Sequence, residues 1–373
     1  MRRTVFLCLL GLTVAWFASA QPFQQNQSQA TRTPEPADVF TVLKELVETP
    51  GVSGFEDPVR QKVRAYLPSW TKPEVDNKGN LIVTFGSGSE HLFFVGHLDE
   101  VGYVVTQVNE DGTLSVDRRG GFYDKYYEAR PVLIYTQRGA VSGIITPRMD
   151  YFQAFAEDRY DLKNVRVYLG TDTRKDTEDL GIKIGDSITV PKRFVQLAEG
   201  RATARSFDDR SGCTAMVLAL MKLDPTKVKK KITFAWTVEE EVGLNGARAL
   251  AEKSKADYVF TVDTFVSADS PREDKRFADA PLGDGFVIRA LDTSGITPLS
   301  MVNRVIEIAR RHNIPVQTGT TNGGNDGSTF TRYGAINIPL SWPGRYSHSP
   351  IEVLDRSDLE ALTEIIHRLV LEF

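Results

Sequence analysis

The chain has 373 residues, of which 41% are hydrophobic and 25% charged, so it can bury a sizeable core as one large domain or two. Its formal net charge is -4, and the only compact basic run, residues 227–231 (KVKKK), suits a solvated turn before a strand. That balance argues against a nucleic-acid partner.

Residues 1–20 have the pattern of a signal peptide: Arg2 and Arg3 precede an apolar stretch over 5–17, and Ala18-Ser19-Ala20 offers small residues for cleavage. Export to a periplasm or the exterior is expected, with no membrane association after cleavage. Removal would take Cys8 and leave Cys213 as the sole cysteine, which forbids an intrachain disulfide. Residues 21–36 (QPFQQNQSQATRTPEP) are too poor in apolar side chains to pack and are expected to form a disordered leader.

Val39, Leu43, Leu46 and Val47 recur at helical spacing ahead of Pro50-Gly51, and a second helix is predicted over 57–66. Strands are predicted over 81–85 and 91–95, with Gly86-Ser87-Gly88-Ser89 between them as a hairpin connection. From 102 to 197 the pattern turns to short β runs, at 102–108, 113–116, 132–135, 141–145, 165–169 and 187–190. Longer units return afterwards, with helices predicted over 210–223, 245–253, 299–311 and 356–371. The expected fold is α/β: a mainly parallel central sheet flanked by helices, formed by 37–101 and 198–373, with a small all-β domain inserted at 102–197. No internal repeat is present.

Several apolar runs end in the same chemistry. The run from Thr233 reaches Glu239, Glu240 and Glu241; Leu92 to Val95 leads to His97 and Asp99; Tyr258 to Val262 ends on Asp263; and Ile336 to Leu340 leads into Arg345 and His348. In an open α/β sheet, ligands bind beyond the carboxyl ends of the strands, so these tips can converge. Each also has a plainer explanation, as a solvated strand end or, for Asp208-Asp209-Arg210, a helix cap. Residues i and i+2 of an extended segment point the same way, so His97 could bind a metal while Asp99 orients its ring. A carboxylate of the Asp208-Asp209 pair could bridge two cations. Of Glu240 and Glu241, one could bind metal while the other takes a proton from metal-bound water, whose pKa a zinc ion lowers to about 7. The inventory of two histidines and three carboxylates suits two divalent ions, zinc first, with cobalt and manganese also accommodated.

The motifs GHLDEVG, SFDDRSGC, TVEEEVGLNGA, VDTF and RYSHSP, in that order, resemble those of the tetrahedral or glutamyl aminopeptidases, dinuclear metallopeptidases within a wider zinc peptidase clan. The likeness runs from Val39 to Phe373. It implies that His97 and Asp263 hold one metal, Glu241 and His348 the second, and that Asp208 bridges them. Glu240 would be the general base and Asp99 the partner of His97. Peptides with a free amino terminus would be the substrates, and the inserted β domain would act in dimerisation or as a lid within a homo-oligomer. Residues 321–328 (TNGGNDGS) resemble a loop near the substrate, although Asn325 stands where the family has threonine. Gly324, Asp326 and Arg345 are therefore candidate substrate contacts, with no cation assigned to an acidic-residue pocket. Glu239 replaces an uncharged amide, and its charge is expected to raise the pKa of Glu240. Other functions consistent with these residues are a deacylase or carboxypeptidase of the clan, a non-hydrolytic metal-bound peptide-binding protein, or a glycoside hydrolase, which would leave both histidines idle.

Overall fold

The structure is a computed structural model that describes residues 38–148, 160–270 and 279–373. The expected signal peptide and leader lie outside the described residues. No helix among the described residues is long and apolar enough to cross a membrane.

A nine-stranded mixed sheet forms the body. In spatial order its strands are Glu74–Val75, Leu81–Phe85, Lys231–Thr237, His91–His97, Tyr258–Val266, Leu340–Gly344, Phe286–Leu291 and Val316–Thr320, with Ile336–Asn337 also paired to Tyr258–Val266. The four central strands, from Lys231–Thr237 to Leu340–Gly344, run parallel. Every residue of His91–His97 is buried, as expected of a parallel strand covered on both faces.

The 81–85 and 91–95 segments do not form the expected hairpin. Lys231–Thr237 lies between them, antiparallel to Leu81–Phe85 and parallel to His91–His97. The glycine-serine connection therefore spans an intervening strand, and local turn chemistry gives no sign of a strand 140 residues away.

Helices cover both faces. Val39–Glu48 starts at Asp38, whose carboxylate accepts from the Thr41 N–H at 3.0 Å, and stops ahead of Pro50, which disfavours helix in the residue before it. Phe207–Met221 is buried on all sides through Leu220 and packs against Val39–Glu48, Arg356–Glu372 and the strand carrying Asp263. A helix in that position has no polar face to show, which is why Cys213, Ala215, Met216 and Val217 all belong to the core.

Between Gly102 and Thr189, six strands close into a barrel in the order Gly102–Val108, Leu114–Arg119, Val167–Tyr168, Gly139–Ile145, Pro131–Thr136, Ser187–Thr189. It has its own core, including Tyr103, Val105, Val132, Ile134 and Ile188. Closure leaves no open sheet edge to manage.

Candidate metal centre

Strand register sets the site. Thr237 pairs with His97, and Val95 pairs with Thr261; continuing that parallel register brings His97 level with Asp263. Glu240 and Glu241 follow the end of Lys231–Thr237, and His348 follows Leu340–Gly344. Asp208 comes from the opposite side, at the start of the buried helix, beside a cis Asp208–Asp209 peptide. Ser206, Glu239, Leu244, Tyr346 and His348 all have positive φ, from 54° to 73°. Such strained residues cluster where the surroundings over-determine the backbone.

One carboxylate faces both histidines. Asp208 Oδ1 is 3.3 Å from His97 Nε2, and its Oδ2 is 3.5 Å from His348 Nε2. Asp263 Oδ1 lies 3.9 Å from His97 Nε2, and Glu241 Oε1 lies 3.1 Å from His348 Nε2. Ligand atoms of His97, Asp208 and Glu241 fall within 4.8 Å of one another. Tetrahedral coordination with bonds of about 2.0–2.1 Å has edges of roughly 3.4 Å, so the donor types and spacings fit two divalent ions sharing Asp208. These residues line a cavity of about 650 Å³ together with Glu240, Gly243, Leu244, Arg248, Thr264, Val266, Arg289, Asn322, Gly323, Gly324 and Ser347.

The electrostatics are those of a site built for added positive charge. Burial disfavours the imidazolium of His97, yet Glu240, Asp208 and Asp99 outweigh it and hold its pKa well above the ordinary value. Burial pushes Glu240 well up, opposed by His97 and reinforced by Glu241, Asp263 and Asp326. Burial, with Asp208 adding and Arg289 opposing, raises Asp263 to about 6. Bound divalent cations would invert this pattern, returning the carboxylates to the charged form and the histidines to the neutral one.

A second layer fixes the donors. Asp99 Oδ1 is 3.5 Å from His97 Nδ1, while its carboxylate also accepts from Ser53 Oγ at 2.6 Å and from the Glu240 and Glu241 N–H groups at 2.9 and 3.2 Å. Asp99 thus ties the histidine strand to the glutamate turn. His348 Nδ1 faces the Gly121 carbonyl oxygen of the barrel segment at 2.5 Å, which leaves Nε2 for Glu241 and Asp208. Ser347 Oγ donates to Asp208 Oδ2 at 2.8 Å, and Glu352 accepts from the N–H groups of His348 and Asp208 at 2.9 and 3.2 Å.

A family profile described as M42 glutamyl aminopeptidase matches residues 79–365. The chain belongs to the M42 glutamyl aminopeptidase family. It is 26% identical to the lysyl aminopeptidase of Pyrococcus furiosus, over 89% of this chain and 97% of the relative. It is also 26% identical to the glutamyl aminopeptidase of Lactococcus lactis subsp. cremoris, over 87% and 94%. The TET1 peptidase of Pyrococcus horikoshii, described as able to assemble into a tetrahedron or a large octahedral shell, superposes with a TM-score of 0.84 at 31% identity, over 90% of this chain and all of that one. This M42 enzyme is therefore an aminopeptidase, a metallopeptidase hydrolysing peptide bonds.

Two expected substrate contacts of the M42 enzyme lie elsewhere. Asp326 is 1% exposed and absent from the cavity wall; its Oδ2 accepts from Thr237 Oγ1 and its Oδ1 has no partner among the described residues. Burial raises it to about 7, and it acts on Glu240 from within the protein. Arg345 is held bidentately by Asp269, at 2.7 Å for each contact, and does not line the cavity. Gly324 does line it, and its carbonyl accepts from Arg289 at 3.3 Å. Sequence gave no sign of Arg289, which lies 3.5 Å from Asp263 Oδ2 and 3.6 Å from Asp292, nor of Ser53 or Glu352. Ser347, adjacent to His348, was within reach of the RYSHSP motif.

Proposed function

We propose that this M42 enzyme is an exported, dinuclear aminopeptidase that removes amino-terminal residues from peptides. The observation that carries the proposal is the split carboxylate of Asp208, with one oxygen toward each histidine and a further acid beside each ring. His97 and Asp263 would hold one ion, His348 and Glu241 the other, with zinc the first choice and cobalt or manganese accepted by the same donors.

When bound, the ions supply Lewis acidity to the scissile carbonyl and acidify a water. Glu240, in the same cavity and outside both donor groups, accepts the proton of the attacking water and returns it to the leaving amine. Asp99 keeps the His97 ring in place and anchors the N–H groups of Glu240 and Glu241, so that base and ligand hold their relative position. The acidic wall favours a free amino terminus over an acylated one.

Export rests on the composition of residues 1–20, and a homo-oligomer, a dimer or larger, on the assemblies described for the P. horikoshii TET1 peptidase. The 102–197 segment would serve in pairing or as a lid; its own core and the reach of Gly121 to His348 support that role.

The test is elemental analysis of the purified mature chain, together with release of the terminal residue from free and acylated peptides with and without chelator. Two ions per chain and chelator-sensitive release from free peptides alone are expected. Release from acylated peptides alone would replace the proposal with a deacylase.

A further inference from the structure

A second cavity, of about 620 Å³, shares no residue with the one at the metal centre. Strand register builds its floor. Lys231 pairs with His91, Thr233 with both Phe93 and Thr84, and Ala235 with Ile82; paired residues, and residues two apart along a strand, share a face. Ala247, Leu250 and Ala251 of Asn245–Ser254 cluster with Phe93 and Ala235 on that face, while Ile82 at its outer edge is half-buried. The cavity lies between this helix, at Leu250 and Lys253, and the Leu81–Phe85 strand, at Ile82 and Thr84.

The floor is fixed and the rim is cationic. His91 is buried, with Nε2 2.8 Å from Thr233 Oγ1 and Nδ1 3.1 Å from the Ser254 carbonyl oxygen. Lys78, Lys231 and Lys253 line the cavity against a single acid, Asp76. That carboxylate is spent on its own turn: Oδ1 accepts from the N–H groups of Lys78, Gly79 and Asn80 at 2.9 Å each, and Oδ2 from Asn80 Nδ2 at 2.8 Å. Among the described residues the ammonium groups of Lys231 and Lys253 have neither ion pair nor hydrogen bond. In a chain of net charge -4, such a concentration of positive charge around a cavity draws in anions. Lys78 also reaches the catalytic turn, since its ammonium pairs with Glu239 at 2.8 Å. Its loop grips that turn through Asn80, whose Oδ1 accepts from the Val238 N–H and whose Nδ2 donates to the Gly246 carbonyl, both at 3.1 Å.

We propose that this groove binds an organic phosphate, with the phosphate among the three lysines and an apolar body over Ile82 and Leu250, and that the ligand competes with Glu239 for Lys78 and so lowers turnover at the metal centre. Lysine ammonium groups are compact point charges of the kind that hold phosphate. A phosphate monoester carries about -1.5 to -2 charges at neutral pH, whereas one carboxylate would leave most of the rim uncompensated. When Lys78 turns to the ligand, the turn carrying Glu240 and Glu241 loses a side-chain anchor. The link to turnover rests on the aminopeptidase mechanism; the binding site does not.

The experiment measures binding of phenyl phosphate and of inorganic phosphate by equilibrium dialysis, and kcat on a saturating unblocked peptide, with the metal-loaded wild type and a Lys231→Gln, Lys253→Gln double variant. Phenyl phosphate is expected to bind the wild type roughly tenfold more tightly than the double variant, more tightly than inorganic phosphate does, and less tightly as salt is added. At saturation it should lower the wild-type kcat roughly twofold or more and leave that of the double variant unchanged. Phenyl phosphate held by the metal ions would bind both proteins alike, and that result overturns the site. Equal affinity for inorganic phosphate overturns the apolar half of the ligand, and a binding difference with unchanged wild-type kcat overturns the link through Lys78. Release from no peptide, with the binding difference intact, overturns the aminopeptidase mechanism and the link but leaves the site standing.

Discussion

Glu239 and Lys78 form an ion pair at 2.8 Å, both partly buried. Glu239 also accepts from Asn245 Nδ2 at 3.0 Å, and its own N–H donates to Glu56 at the same distance. The first glutamate of the run is therefore turned away from the cavity and compensated, and after burial it is Glu241, Asp263 and Asp326 that push Glu240 up. With Lys78 paired to it, Glu239 is not among the leading causes of the rise in Glu240, contrary to expectation. In Lys78→Met, the uncompensated charge should move the acid limb of the pH–rate profile to higher pH by a few tenths of a unit, roughly. Glu239→Gln should leave that limb in place. An upward shift in neither variant would show that the pair does no electrostatic work on the base.

Ser53→Ala removes a 2.6 Å donor from Asp99 in a fully buried setting. Asp99 then has one fewer constraint on the orientation it imposes on His97. The expected result is a loss of roughly tenfold in metal affinity, the lower end of what outer-layer partners of ligating histidines contribute, with the folded state retained. Competition against a chelating dye measures it directly.

Glu100 is buried beside Lys192, Ser206 and Arg210. Burial raises its pKa, but Lys192, Arg210 and Arg205 outweigh burial and bring it down to about 2. A carboxyl lowered on folding contributes in full above its unfolded value of 4.5 and loses that contribution as pH falls towards 2. The span corresponds to an upper bound on the order of 3 kcal/mol. Glu100→Gln should be less stable at pH 7 and show a flatter loss of stability between about 4.5 and 2, followed by denaturant titration at a series of pH values.

Gly246 sits in the first turn of Asn245–Ser254, where alanine would ordinarily favour the helix by about 1 kcal/mol. Here a Cβ would meet Asn80 Oδ1 at 2.4 Å and the Val238 carbonyl oxygen at 2.5 Å. Backbone cannot yield as a side chain can, so Gly246→Ala should destabilise by about 1–3 kcal/mol. A rise in melting temperature would contradict the packing at this position.

Most of the candidate metal centre was legible in the sequence because His97, Glu241, Asp263 and His348 stand at or just beyond the ends of apolar runs, and parallel strands deliver their carboxyl ends to one place. Those four needed no long-range information beyond that rule, whereas Asp208, at the start of the buried helix Phe207–Met221, stands out only through the wording of the SFDDRSGC motif. The failures share the opposite property. The Lys231–Thr237 strand separates two segments that look like a hairpin, since pairing is decided by the whole sheet rather than by the turn. Arg345 is taken by Asp269 and Arg289 by Asp263, choices that depend on contacts 76 and 26 residues away. Nothing in TNGGNDGS distinguishes Gly324, which reaches the cavity, from Asp326, which turns inward to Thr237.

The most direct test of the mechanism is turnover by Glu240→Gln at matched metal content, using a peptide with a free amino terminus. Glutamine keeps the shape but cannot accept the water's proton, so two ions per chain should remain while kcat falls by roughly 100-fold or more. Wild-type turnover in that variant with both ions present would contradict the assignment of Glu240 as the base.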